Sequence, residues 1–133
     1  MNISHIEHIG IAVKSIEESL PYYENILGLK CYNIEVVEDQ KVKTAFFKVG
    51  QTKIELLEPT SEESTIAKYI EKRGEGIHHI AYSVDNVGEA LKEVEAKGVK
   101  LIDQAPRKGA EGLNIGFLHP KSTGSVLTEL CNE

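Results

Sequence analysis

The 133-residue chain has little cysteine, only Cys31 and Cys131, and no C-x-x-C pair. That usage excludes a paired-thiolate metal ribbon, and a domain of this size needs no disulfide, so both cysteines are expected as free thiols in a reducing compartment. No stretch approaches the roughly 20 apolar residues of a membrane span. The opening segment, MNISHIEHIGIAVKS, places histidine and glutamate before any apolar run, unlike an export signal. The expectation is a soluble, cytoplasmic protein with no membrane partner. A basic excess is also missing: the net charge is -6, which argues against nucleic acid, whose phosphates demand a cationic patch. What is present, 41% hydrophobic and 27% charged residues, suffices for the packed core of a single domain spanning 1–133.

The chain repeats itself once. HIEHIGIAVKSIEESLPYYENILGLKCY from His5 and GIHHIAYSVDNVGEALKEVEAKGVKLI from Gly76 each carry His-Ile-Gly/Ala-x-x-Val, run into a helix, and stop at a glycine before an apolar strand. In the first copy, residues 5–13 alternate as a strand with His8, Gly10 and Ala12 on one face. Ser15 to Glu18 reads as a capping box, Ile16, Leu20, Tyr23 and Leu27 as a helical stripe, and Gly28 as its stop. Strands are expected near 29–38, 42–49 and 52–58. In the second copy a strand at 77–84 precedes a helix capped by Asn86 and Glu89, with Val87, Leu91 and Val94 inward, then strands near 99–103, 113–119 and 125–131. A helix from Thr60 to Lys72 links the copies, with Ile66, Tyr69 and Ile70 inward. The expected architecture is α+β: two βαβββ modules, 1–60 and 76–133, joined by a helical connector at 61–75.

Four residues recur at matching places. His8 shares its strand face with Gly10 and Ala12, and His79 with Ala81 and Ser83, so both imidazoles stand over small neighbours that leave room for a ligand. The last strand of each copy holds one glutamate among apolar residues, Glu55 and Glu129, offset by 47 positions from His8 and 50 from His79. A single buried histidine or strand glutamate is usually structural. Four in duplicated register instead suit a divalent ion, Co, Mn, Ni, Fe or Zn, with positions open for substrate. His5 and His78 have the opposite parity to His8 and His79 and are read as structural or exposed, and His119, before Pro120, as a turn or pocket-rim residue rather than a ligand. The Glu17-Glu18 and Glu62-Glu63 pairs lie at helix starts, where the helix dipole accounts for them.

The paired His-Ile-Gly-Ile-Ala-Val and His-Ile-Ala-Tyr-Ser-Val strands resemble the vicinal-oxygen-chelate (glyoxalase/dioxygenase) superfamily along essentially the whole chain. Lys53-Ile-Glu-Leu-Leu-Glu-Pro59, Glu63-Ser-Thr-Ile-Ala-Lys68, Gly76-Ile-His-His-Ile80 and His119-Pro-Lys-Ser122 through Val126-Leu-Thr-Glu-Leu130 look most like its methylmalonyl-CoA epimerases. The glyoxalase I family usually shows Asp-Pro-Asp-Gly where His119-Pro120-Lys121-Ser122 stands, and a glutathione-contacting arginine where Ala12 stands.

The resemblance implies a curved mixed sheet, a homodimer, a metal held by His8, Glu55, His79 and Glu129, and an acyl-CoA substrate epimerised through a metal-stabilised enolate. Some epimerases carry a basic glutamate where Thr44 stands and glutamine where Glu55 stands, so Glu55 and Glu129 are the two expected catalytic bases. Lys121, Ser122 and Thr44 are expected near the substrate, with Arg107 and Lys108 facing the CoA arm and the stretch 107–112 as a mobile flap or a plain hairpin. A lactoylglutathione lyase acting on a hemithioacetal is the alternative, since it uses the same ligands. A metal-free binding protein of the same fold is a second alternative. An Fe(II) dioxygenase is disfavoured by a fourth ligand.

Overall fold

A computed structural model describes residues 1–133. In chain order it forms β1 (Ile3–Ala12), α1 (Ile16–Pro21), β2 (Cys31–Val37), β3 (Val42–Val49), β4 (Thr52–Pro59), α2 (Thr65–Arg73), β5 (Gly76–Val84), α3 (Val87–Ala96), β6 (Arg107–Lys108), β7 (Asn114–Leu118) and β8 (Thr128–Asn132). No helix is long and apolar enough to cross a membrane. The chain divides into two compact units, Ile9–His78 and Met1–His8 with His79–Glu133.

In the Ile9–His78 unit, β2, β3 and β4 form antiparallel ladders, with Ala45 opposite Leu56 and Phe46 opposite Glu55. One apolar cluster joins Val13, Ile16, Ala45, Phe47 and Leu56, with Leu20 and Tyr23 against it. A second joins Ala12, Val42, Leu57 and Ile66, with Tyr69 and Ile70 alongside. The Ser15 hydroxyl accepts the Glu18 amide at 3.1 Å and starts α1 as expected. The helical stripe ends early, however. Pro21 lacks an amide donor, and directly after it the backbone widens into a π turn over Tyr22–Ile26, where the Leu27 amide reaches the Tyr22 carbonyl at 3.0 Å. The widened turn rotates the following side chains, and Leu27 is exposed rather than inward.

In the other unit, β8 pairs in parallel with β5, setting Ala81 opposite Glu129, and antiparallel with β7, setting Phe117 opposite Glu129. The sheet is therefore mixed. Asn86 caps α3 through the Glu89 amide at 2.9 Å, and α3 buries Val87, Ala90, Leu91 and Val94 against Val84, Leu101, Leu118 and Leu130. The amino terminus is tied to α3 by an ion pair from Met1 to Glu93 at 2.7 Å.

Two expected strands change here. Residues 99–103 make only an isolated bridge, Leu101 with Leu118. The reason is local: the Phe117 amide is taken by the Asp103 side chain at 2.8 Å, and its carbonyl receives the amides of both Ile102 and Asp103, so no regular ladder develops. The last strand begins at Thr128 rather than 125, because Gly124 and Ser125 both lie in the left-handed region, with φ of 69° and 70°. The stretch 107–112 is a hairpin arm: β6 pairs with β7, and the Gly109 amide meets the Leu113 carbonyl at 2.9 Å.

Gly116 sets how closely α3 lies on β7. A Cβ there would fall 2.8 Å from Leu91 Cδ1, and Leu91 is itself buried and unable to swing away. Gly116→Ala is therefore expected to cost about 1–3 kcal/mol by overpacking. Urea unfolding, read as a lower midpoint with an unchanged slope, checks it.

Candidate functional site

His8, His79 and Glu129 all belong to the unit made of Met1–His8 and His79–Glu133, and each is at most 5% exposed. Strand alternation turns His8 into the interior at the end of that β1 segment, β5 carries His79, and β8 carries Glu129. The room comes from Ala81, which is fully buried and lies across the ladder from Glu129. Phe117, on the other side of Glu129, meets the His79 ring edge-on at 5.4 Å between centroids and limits its rotation.

The three side chains converge. His8 Nε2 lies 3.0 Å from His79 Nε2, and Glu129 Oε1 lies 3.6 Å and 3.3 Å from the same two nitrogens. Ligands about 2.1 Å from one divalent ion stand about 3.0 Å apart at right angles and about 3.4 Å apart at the tetrahedral angle. The donors thus have the types and the spacing of a metal site, and the His8, His79 and Glu129 donor atoms all fall within 4.8 Å of one another.

Burial pushes the Glu129 carboxyl upward, but hydrogen bonding and charge from His79 and His8 outweigh it and hold it at about 2. The sign of the linked stability follows. A carboxyl lowered from 4.5 contributes fully above that pH and loses its contribution as pH falls through about 2. In the metal-free protein Glu129→Gln is expected to flatten the stability–pH curve across that window, which urea unfolding at stepped acid pH checks.

Glu55 lies in the other unit, on β4, buried to 4% exposure and opposite Phe46, just as Glu129 is opposite Phe117. The internal ladders of the two units therefore repeat the glutamate-facing-phenylalanine register. Thr44 is buried on β3 between Glu35 and Leu57. Lys121 and Ser122 sit on an exposed turn after His119. Ser122 has a structural partner there, since its hydroxyl accepts the Lys100 amide at 2.9 Å. His119 Nδ1 accepts the Lys121 amide at 3.1 Å and organises the turn, as its place before Pro120 suggested. Arg107 is held by Asp103 at 2.9 Å with its guanidinium 5.6 Å from the Phe117 ring centre, and Lys108 donates to the Gly112 carbonyl at 3.3 Å. His78, in the Ile9–His78 unit, packs edge-on against Tyr69. Neither cysteine forms a disulfide.

Sequence reasoning missed Glu7. Its Oε1 lies 2.7 Å from His8 Nδ1, and its side chain is only 12% exposed. Strand parity pointed it away from the histidine face, so periodicity carried no signal for it; only its adjacency to His8 did.

Residues 7–117 match the family model described as the glyoxalase/bleomycin resistance protein/dioxygenase superfamily. Human mitochondrial methylmalonyl-CoA epimerase is 35% identical over 97% of this chain and 74% of its own length. Among solved structures, the hypothetical protein BH1468 from Bacillus halodurans C-125 is 51% identical with a TM-score of 0.95, covering 97% of this chain and 94% of that one. A methylmalonyl-CoA epimerase in complex with methylmalonyl-CoA and ammonium also has a TM-score of 0.95, at 37% identity, covering 99% of this chain and 96% of that one. The α+β fold expected from the sequence is the fold of these structures.

Proposed function

Because the chain belongs to the glyoxalase/bleomycin resistance protein/dioxygenase superfamily, we propose that it is an isomerase that interconverts (R)- and (S)-methylmalonyl-CoA by removing and returning the α-proton. The observation that carries the reading is the buried convergence of His8, His79 and an ionised Glu129, in a chain 35% identical to an enzyme of that activity across nearly its whole length.

His8, His79 and Glu129 are the residues that would hold a divalent ion, and the repeat equivalence adds Glu55 as a fourth. Such an ion supplies Lewis acidity, which offsets the negative charge that develops on a thioester oxygen when the α-carbon loses its proton. The chain's own groups do the rest. Burial of the three side chains excludes bulk water, which strengthens electrostatic interactions at the reacting carbon. Ionised Glu129 is the proton-accepting form of a carboxylate, and Glu55 is its counterpart for the opposite face. One takes the α-proton and the other returns one to the other side of the planar carbon, which inverts it. Arg107, pinned by Asp103, and exposed Lys121 are the cations assigned to the CoA arm.

The test is a paired assay of protein loaded with cobalt(II) or manganese(II). Interconversion of the methylmalonyl-CoA enantiomers, with α-deuterium incorporation from deuterated solvent, is expected, with no S-lactoylglutathione formed from methylglyoxal and glutathione. Lactoylglutathione without interconversion would replace this reading with a lyase. Silence in both would leave a binding role.

A further inference from the structure

We propose that Glu7 is a positioning residue that fixes the tautomer of His8 and so presents its Nε2 lone pair to a metal. The inference rests on reading His8, His79 and Glu129 as metal ligands. Neutral imidazole has one N–H and one lone pair, and the hydrogen bond at one nitrogen decides which is which. Glu7 Oε1 lies 2.7 Å from His8 Nδ1, and an ionised carboxylate only accepts. The proton therefore sits on Nδ1, and Nε2 carries the lone pair.

The neighbouring distance agrees. With Nδ1 protonated, the lone pair on His8 Nε2 faces His79 Nε2 at 3.0 Å, the spacing of two ligands on one ion. Without an ion the same lone pair can accept a hydrogen bond from a protonated His79 Nε2, so His8 is in its ligating form in either case.

The placement is not a by-product of the repeat. The residue before the second histidine is His78, which belongs to the other unit and packs against Tyr69. Nor is Glu7 held out in solvent as strand glutamates usually are: its side chain is 12% exposed. A carboxylate on the outer nitrogen of a metal-binding histidine orients the ring and raises its basicity, and losing it typically weakens metal affinity 10- to 100-fold.

The experiment uses the full chain and two variants, Glu7→Ala and Glu7→Gln. Cobalt(II) is titrated into metal-free protein by calorimetry, and the His8 tautomer is read from nitrogen-15 shifts of the imidazole without metal. Glu7→Ala is expected to weaken cobalt binding about 10- to 100-fold and to shift His8 toward the Nε2–H form. Glu7→Gln, which keeps the size but not the charge, is expected to lose less. If Glu7→Ala fails to fold, the Glu7→Gln pair of readouts decides. Native cobalt affinity together with a native His8 tautomer in the variants would overturn the proposal. If the unaltered protein takes up no cobalt, the metal reading fails, and the tautomer measurement alone decides whether Glu7 governs His8.

Discussion

Glu129→Gln is expected to slow interconversion of the methylmalonyl-CoA enantiomers by about 10²- to 10⁴-fold, the range typical for loss of a positioned acid–base group. Glutamine keeps the volume and one oxygen, so the core around Leu130 and Ala81 has no cavity to absorb. It can neither accept a proton nor balance the two imidazoles at 3.3 and 3.6 Å. The measurement is the first-order rate of enantiomer interconversion at saturating substrate, with circular dichroism to verify the fold. A rate within a few-fold of the unaltered protein would remove Glu129 from acid–base work and leave it a structural carboxylate.

Glu55→Gln is the companion experiment, with a different signature. If each glutamate serves one face of the substrate carbon, removing one base blocks inversion but spares exchange on the other face. Interconversion is therefore expected to fall by about 10²- to 10⁴-fold, while α-deuterium exchange persists from one enantiomer and is lost from the other. Glu129→Gln should show the complementary enantiomer. Proton exchange unchanged from both enantiomers in Glu55→Gln would show that a glutamine oxygen suffices at this position and that Glu55 has no role as a base.

Much of the fold was legible because the physics that sets it is local. Alternation with period two put His8, Gly10 and Ala12 on the buried face of β1, and the observed exposure follows that alternation. Ser15 and Asn86 cap their helices because their side-chain oxygens reach an orphan amide three residues on, a property of the segment alone. The misses are equally specific. The inward stripe expected to reach Leu27 stopped at Tyr23, because a proline inside a helix acts through the backbone ladder rather than through hydrophobic spacing. The strand expected at 99–103 was lost to the Asp103 carboxylate, whose capture of the Phe117 amide depends on a neighbour 14 positions away.

What the sequence determined by itself is the duplicated pattern: a histidine over small residues on the first strand of each copy and a glutamate within an apolar last strand. Spacing and residue type are sequence properties, and the family resemblance rests on them. Only the tertiary structure decided which groups meet. It split the chain so that Met1–His8 packs with His79–Glu133, and it brought His8, His79 and Glu129 within a ligand's reach of one another. It also bent the Glu7 carboxylate onto the outer nitrogen of His8, against the parity of its strand. Such meetings depend on strand order and twist, which join residues far apart in the chain, and no local pattern records them.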